Sequence, residues 1–267
     1  MPHDRTLLYA GHEFTVEHLR SHAKEEPGWS GPYTLESRRI IFPVGRTMLD
    51  LRWGGSTWQV DGLTAMHLAD AMVYQLRPST HATRRSLVVS RHRPSRADDA
   101  APAFCLLSPR SLYRVHAAQH RLRAGDGGTV AIASLVDELG TSRRQSPLTG
   151  AVARARRLLA ETADRDTRLS LRELADAVSR SPFHLARSFR HETGLSLHQY
   201  RQHLRIASAM ERLADGDADL AGIAHDLGFC SQSHLGAVFR REVGVTLGEA
   251  RRVLAGSSKS GNSSARI

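Results

Sequence analysis

Arginine and glutamine side chains stand on two short predicted helices of the C-terminal half, where they could hydrogen-bond to the edges of DNA bases. Arg187 could donate two hydrogen bonds to a guanine edge, and Gln232 could bond to adenine in the same bidentate way. Arg190 and Arg240 lie further along their helices, where contacts to phosphate fit better. These residue types therefore predict hydrogen bonding to DNA rather than covalent catalysis.

These residues belong to an internal repeat. Residues of the first copy recur 50 positions later in the second: Ser181, Leu185, Phe189, Arg190, Glu192 and Gly194 return as Ser231, Leu235, Phe239, Arg240, Glu242 and Gly244. Chance does not easily give so many matches at one displacement. The repeat therefore predicts one structural unit that is present twice.

The first copy has the sequence signals of a helix-turn-helix motif. Ser170 with Glu173 forms a capping box, which opens a helix that runs through Val178. After a short turn, Ser181 supplies an N-cap and Pro182 occupies the first position of a second helix. The motif spans about residues 170–192.

The second copy has the same order of signals over about residues 220–242. Gly228 ends its first helix and Ser231 caps its second, with one more residue in the turn than in the first copy. Ala175 and its counterpart Ala224 are small, which lets the two helices of each motif cross closely.

The second helix of each motif must bury one face and expose another. Leu185 with Phe189, and Leu235 with Phe239, are spaced four residues apart and predict the buried face. The candidate DNA contacts are the helix N-termini and the opposite face, namely Ser181, Pro182, Phe183, Ala186, Arg187, Arg190, Ser231, Gln232, Ser233, His234, Gly236 and Arg240.

A long helix is predicted between the two motifs. Ser196 with Gln199 forms another capping box, and the apolar spacing continues through about residue 214. A helix of about 18 residues is roughly 27 Å long, which could place the two motifs in successive major grooves of double-stranded DNA.

The N-terminal half has the pattern of short strands. Gly54-Gly55 separates Met48–Trp53 from Ser56–Val60 and predicts a tight hairpin. Further predicted strands are Arg38–Phe42, Thr64–Leu68, Val73–Leu76 and Leu87–Val89. Helical spacing begins near Ser108. Helices are predicted from there, over Val130–Leu139 and over Ala151–Thr162, with a linker at Gly140–Ser146. Regularly spaced short strands favour a sandwich or small barrel.

Composition is compatible with this interpretation. The net charge of +10 suits a polyanionic partner, although nearly all the basic residues are arginine, with lysine only at positions 24 and 259, which could also reflect a GC-rich genome. Cys105 and Cys230 match no metal-ligand spacing. The sequence has no apolar run that could span a bilayer and no signal-peptide pattern, so we expect a cytoplasmic protein.

The segment from about Leu169 to Arg252 resembles the AraC/XylS family of bacterial transcription regulators. The most specific part is Ile223–Gly244, which is similar to the family's second helix-turn-helix nearly position for position. The resemblance implies a seven-helix domain with two reading helices joined by a long one. It also implies the base-facing positions, which are Phe183, Ala186 and Arg187 in the first motif and Gln232, Ser233 and Gly236 in the second.

The chain departs from the family pattern shortly after the glycine of each copy. The proline usual there is replaced by Leu197 and Leu247, which can also fill the first turn of a helix. In addition, the side chains of Ala186, Gly236 and Ala237 are short for reading bases. Only the first motif has an Arg on its base-facing surface, whereas the second offers Gln and Ser beside a Gly and an Ala. We therefore expect the first motif to read more of the base sequence and the second to position more of the phosphates.

The N-terminal region resembles, more loosely, the cupin-like sensor domain of many family members. The resemblance implies a small-molecule effector, dimerisation, or both. Trp53, Trp58, Met66 and Tyr74 are candidates to line an apolar ligand pocket, with an ordinary core as the alternative. We expect no metal or other cofactor: a cupin metal site needs a His-x-His pair with a Glu and a further His, and His67 lacks that spacing.

The predicted fold class is α+β in two domains. A cupin-like β-barrel or sandwich occupies 1–107, helices for dimerisation and a linker occupy 108–147, an all-α DNA-binding domain occupies 148–255, and 256–267 is a disordered tail. The expected partners are operator DNA, RNA polymerase, a small-molecule effector and a second copy of the chain. Two alternatives stay open: an N-terminal domain that serves only protein interaction, and a cupin-type metal-dependent oxygenase fused to a DNA-binding tail.

Overall fold

The chain forms strands first and helices afterwards. The computed structural model describes residues 3–22, 28–45, 47–78, 83–92, 101–141, 144–148, 150–163 and 169–255, so the predicted tail lies outside the described residues. The strands are β1 His3–Ala10, β2 Phe14–Ser21, β3 Tyr33–Thr34, β4 Arg39–Pro43, β5 Met48–Trp53, β6 Ser56–Asp61, β7 Thr64–Leu68, β8 Val73–Pro78, β9 Arg84–Arg91 and β10 Ala103–Leu106.

The helices follow without a return to sheet. They are α1 Pro109–Arg123, α2 Thr129–Thr141, α3 Gly150–Glu161, α4 Leu171–Ala177, α5 Pro182–Thr193, α6 Leu197–Ala214, α7 Leu220–Asp226, α8 Gln232–Val243 and α9 Leu247–Leu254. A sheet-rich N-terminal region followed by a helical C-terminal region is the division that the sequence predicts.

Two antiparallel sheets make up the N-terminal region. The larger has the strand order β1-β2-β9-β4-β7-β10, and the smaller has the order β3-β8-β5-β6. The predicted hairpin at Gly54-Gly55 is confirmed: both glycines have positive φ, 54° and 78°, and β5 pairs with β6 from Trp53–Ser56 outward. Glycine takes this conformation without the Cβ clash that other residues meet.

Three strands of the larger sheet were absent from the prediction: β1, β2 and β10. In β2 the apolar alternation is broken because His18 is buried beside Val16. A polar residue on the buried face hides the two-residue period that marks a strand. The predicted strands Met48–Trp53 and Thr64–Leu68 coincide with β5 and β7, whereas the others differ from the observed strands by one or more residues at their ends, as with Leu87–Val89 inside β9.

The larger sheet is covered on both faces. One face packs against the smaller sheet through an apolar cluster that includes Leu51, Met66 and Phe104. The other face, with Phe42 and Leu87, packs against the helices in a second cluster that continues to the C-terminal helix α9. The sheets and the C-terminal helices therefore share one contiguous apolar core.

The predicted linker at Gly140–Ser146 is only partly a linker. Helix α2 continues to Thr141, two residues into the predicted linker. Beyond it, the backbone N–H of Gln145 donates to the carbonyl oxygen of Phe104 at 2.7 Å, which ties this segment to β10. Within the described residues, none of the helices is both long and apolar enough to cross a membrane.

Candidate nucleic-acid interface

The first helix-turn-helix motif consists of α4, a short turn and α5. The hydroxyl of Ser170 accepts from the backbone N–H of Glu173 at 3.2 Å, and the Glu173 carboxylate accepts from the N–H of Ser170 at 2.7 Å. This is the predicted capping box, and it fixes the start of α4. Ser181 caps α5 by accepting from the N–H of His184 at 3.3 Å.

The second motif consists of α7, a turn and α8. Asp219 caps α7 through Gly222, and Ser231 caps α8 through the N–H of His234 at 3.1 Å. Each motif turns through a residue with positive φ, Ser179 at 54° in the first and Gly228 at 71° in the second. The second turn is one residue longer, as the repeat predicts.

The helices of each motif pack as the sequence predicts. Ala175 of α4 and Ala224 of α7 are almost completely buried, so their small side chains lie where the helices approach closely. Leu185 and Phe189 of α5, and the equivalent pair of α8, are fully buried. We call α5 and α8 the reading helices.

The opposite face of the first reading helix is exposed. Phe183 is 78% exposed, an unusual position for a large apolar side chain. Arg187 and Arg190 are also exposed, and neither has a hydrogen-bond or ion-pair partner for its side chain among the described residues. Ser181 is exposed as well, whereas Pro182 and Ala186 are partly buried.

The second reading helix exposes smaller groups. Gln232, Ser233, Arg240 and the cap Ser231 are exposed, and His234 packs its ring edge-on against Phe229 at 5.5 Å. Gly236 is partly buried, and a Cβ there would meet Leu247 at an ordinary 3.8 Å. The exposed face opposite the buried pair of α8 therefore carries Arg240, whereas that of α5 carries both Arg187 and Arg190.

Helix α6 separates the two motifs. It has 18 residues, and its Ser196 cap forms the predicted capping box with Gln199, at 3.0 and 3.2 Å. At 1.5 Å per residue the helix is roughly 27 Å long. Tyr200, Leu204 and Leu213 bury one face of it, so the spacer is held in the core of the domain rather than free to bend.

A cavity of about 310 Å³ lies between the two sheets of the N-terminal region. Of the four residues suggested for an apolar pocket, Met66 and Tyr74 line it. Trp53 and Trp58 do not: their rings lie 6.1 Å apart, and Trp58 stacks on Phe104 at 5.4 Å. Within the described residues there is no group of three His, Cys, Asp or Glu side chains placed to hold a metal.

Sequence reasoning missed a buried polar cluster between the sheets and the C-terminal helices. Arg156 of α3 donates from Nε to the Asp61 carboxylate at 3.0 Å and to the Tyr200 hydroxyl at 2.6 Å. Arg156 also bonds to Thr64, and Tyr200 donates to Asp61. We call these four residues the Arg156 cluster. All are 1% exposed or less, and their sequence positions are too far apart for any local pattern to connect them.

The Arg156 cluster holds its members in defined protonation states. Burial alone would raise the pKa of Asp61, but the charge and hydrogen bond of Arg156, with bonds from Tyr200 and Thr64, keep it below its usual value. Burial raises the pKa of Tyr200 well above its usual value, so its hydroxyl stays a donor. The cluster is therefore a buried ion pair with its hydrogen bonds satisfied.

Known proteins resemble the C-terminal region. A family model described as a helix-turn-helix domain matches residues 174–253. An AraC-like transcription regulator of Streptomyces lividans is 36% identical over 80 residues, which are 30% of this chain and 26% of that protein. The regulatory protein PocR of Salmonella typhimurium is 33% identical over 78 residues, which are 29% of this chain and 26% of PocR.

Among solved structures, the C-terminal domain of AraT, a response regulator from Geobacillus stearothermophilus, is similar to this chain. The two are 26% identical, with 44% of this chain and 96% of that one covered, at a TM-score of 0.41. The chain spans about a quarter of the length of the curated relatives that it matches.

The matched segment begins in α4 and ends in α9, so it contains both reading helices, the spacer helix and their caps. The resemblance to the AraC/XylS family predicted for about Leu169–Arg252 is thereby confirmed in this segment. Over residues 174–253, the C-terminal helices are similar to the helix-turn-helix domains of AraC-like transcription regulators.

Proposed function

We propose that the whole protein is a sequence-specific regulator of transcription that binds operator DNA through both reading helices. The observation that carries this proposal is the pair of arginines on α5, Arg187 and Arg190, which are exposed and have no partner among the described residues. Arg212 of the same domain is, by contrast, paired with Asp217 and Asp226. An arginine that the fold leaves unpaired is available for phosphates and base edges.

The reading helices have different roles in this proposal. Arg187 lies in the N-terminal half of α5, where base edges come within reach, and donates to a guanine. Gln232 occupies the first turn of α8 and reads an adenine. Arg190 and Arg240 lie further along their helices and bind DNA phosphates. Ser181 and Ser231, at the N-termini of the same helices, also lie beside the DNA backbone.

The N-terminal region acts as a cupin-like sensor in this proposal. The cavity between its sheets supports binding of a small-molecule effector, and the 82% exposed Val130 on α2 supports contact with a second copy of the chain. RNA polymerase is the expected partner at a promoter. If instead the region serves only protein interaction, no compound from a broad library should shift the melting temperature.

The DNA-binding roles are tested with an operator selected from a random-sequence pool by the wild-type protein. Arg187→Ala and Gln232→Ala should each reduce the difference in binding free energy between operator and random DNA by about 1–3 kcal/mol. Arg240→Ala should weaken both DNAs alike and reduce the salt dependence, since a phosphate contact carries no base information. Binding is measured by fluorescence anisotropy at several salt concentrations.

Arg121→Ala is the matched control, because Arg121 is an exposed arginine on α1, outside both motifs. Its affinity for either DNA should equal that of the wild type. Equal losses on operator and random DNA for all three test variants would contradict the assigned roles. Failure of the wild type to enrich any sequence would contradict the proposed function itself.

An oxygenase with a DNA-binding tail is the alternative of another class. Metal analysis of the purified protein tests it, because such an enzyme would retain stoichiometric iron, manganese or zinc. We propose no catalytic activity for this chain.

A further inference from the structure

The cavity between the two sheets is apolar along most of its wall but contains arginines. Leu35, Ile41, Met66 and Leu76 contribute apolar side chains from both sheets. Its volume of about 310 Å³ lies at the lower end of the range found for small-molecule sites. The size therefore fits one small organic molecule.

Arg39 points into this cavity because of its place in β4. Side chains alternate along a strand, and Ile40 and Phe42 belong to the core cluster on the helix side of the sheet. Arg39 and Ile41 therefore face the other way, and both line the cavity. On this face the guanidinium of Arg39 lies beside apolar residues that pack the two sheets together.

The guanidinium of Arg39 lacks an anionic partner in the described part of the chain. Its Nε is buried and makes no hydrogen bond, and no ion pair of this residue is present there. A buried donor without an acceptor destabilises the protein, and a bound acceptor would remove that cost. The unsatisfied atom thus indicates that a ligand supplies what the protein does not.

Other charges around the cavity are partly balanced. Arg5 forms an ion pair with Glu17 at 3.4 Å, and Glu36 lies at the exposed rim. Arg84 is 6% exposed and lies on β9, six residues from Ser90, which pairs with Arg39. Six residues of strand span roughly 20 Å, so Arg84 and Arg39 stand at opposite ends of the cavity. With three arginines against two glutamates, the lining favours an anion.

We propose that this cavity binds an organic carboxylate with an apolar body, whose carboxylate accepts hydrogen bonds from Arg39 while the body packs between the two sheets. This inference rests on the sensor role proposed above and names the class of its effector. Arginine is suited to this role, because its planar fork of donors matches a carboxylate and stays charged when buried.

The proposal is tested with probes that share an apolar tail and differ in the head group. Straight-chain carboxylates from butanoate to decanoate are compared with the alcohols of the same length, by thermal shift and by calorimetric titration of the full chain. At least one carboxylate should raise the melting temperature by about 5 °C at a hundredfold excess over its Kd, and its alcohol should bind at least tenfold more weakly.

The role of Arg39 is tested by substitution. Arg39→Gln should weaken the preferred carboxylate at least tenfold while leaving the matched alcohol unchanged, and Arg39→Lys should fall between Gln and the wild type. Arg20→Gln is the control: Arg20 lies exposed on β2 of the same sheet, outside the cavity lining, and its variant should bind like the wild type. Circular dichroism verifies that each variant is folded. If Arg39→Gln does not fold, the role of Arg39 is judged from the carboxylate affinity of Arg39→Lys and from the comparison of carboxylates with alcohols on the wild type.

Three results would overturn the proposal: no carboxylate of the series binds, carboxylate and alcohol bind equally well, or Arg39→Gln retains full carboxylate affinity. The DNA selection on the wild type is done without any carboxylate. Operator enrichment together with failure of the carboxylates rejects only this inference. Absence of enrichment rejects the proposed function whatever the cavity binds.

Discussion

Arg156 is buried completely, yet it is a cation, and the fold tolerates it because Asp61 lies 3.0 Å away. Arg157, the next residue, forms an ion pair with Asp50 and keeps 30% of its side chain exposed. Arg156 therefore needs its carboxylate partner more than Arg157 does. A partly exposed guanidinium can return to water, whereas a buried one cannot.

Asp61→Asn should lower the free energy of unfolding by about 3–5 kcal/mol, because it leaves the Arg156 cation buried without a counter-charge. Asp50→Asn is the matched control. Asp50 is as buried, but its partners Arg77 and Arg157 are 41% and 30% exposed, so they can rehydrate and the loss should be less than half as large. Urea unfolding measures both. Equal losses would show that burial of the arginine does not set the cost.

Among the elements, the turns between the paired helices show where the two copies of the motif diverge. Both require a positive φ, and the second copy supplies it with Gly228 while the first uses Ser179. A residue with a Cβ in the left-handed region costs about 1–2 kcal/mol relative to its preferred conformations. The first motif therefore stores strain that the second avoids.

Ser179→Gly should raise the free energy of unfolding by about 0.5 kcal/mol, since relief of the strain exceeds the added freedom of glycine in the unfolded chain. Gly228→Ala should have the opposite effect, a loss of about 1 kcal/mol or more. A Cβ at position 228 would also lie 3.0 Å from a guanidinium nitrogen of Arg205. Thermal and urea unfolding measure the pair. A destabilised Ser179→Gly would mean that the turn is not strained.

Local signals explain why the helical elements were predictable. Capping residues such as Ser170 and Ser196, and the apolar spacing behind them, are encoded within a few neighbouring positions. Strand β2 was missed because its buried face includes His18. The Arg156 cluster and the placement of Arg39 in a cavity depend on which distant strands and helices meet. One sequence does not contain that information in any local window.

At the scale of the whole molecule, the sheets and the helices share a core. The cluster that includes Phe42 and Leu87 of the larger sheet continues through α1 to Phe239 of α8 without a break. The Arg156 cluster crosses the same boundary, and so does the ion pair of Arg85 with Glu211 at 2.5 Å. A core that is contiguous across two regions predicts that they unfold together.

The two regions should therefore lose structure at the same urea concentration. All three tryptophans lie in the N-terminal sheet region, so their fluorescence reports it, whereas circular dichroism at 222 nm reports mainly the helices. The two midpoints should coincide, and Asp61→Asn should lower both by the same amount. Two separate transitions would show that the regions are independent in spite of their common core.

Helix α1 limits where the C-terminal helices can be joined to the sensor domain of another protein. It packs against α6, α8 and α9, its Val115 is fully buried, and the Nε of its Arg110 donates to the carbonyl oxygen of Val243 at 3.4 Å. A chimera that grafts only the residues from 148 onward onto a foreign sensor would strip this cover and expose apolar surface on the grafted helices. A graft that keeps this cover has to include α1 and its cap Ser108, and it would still separate Arg156 from Asp61 of the sheet region.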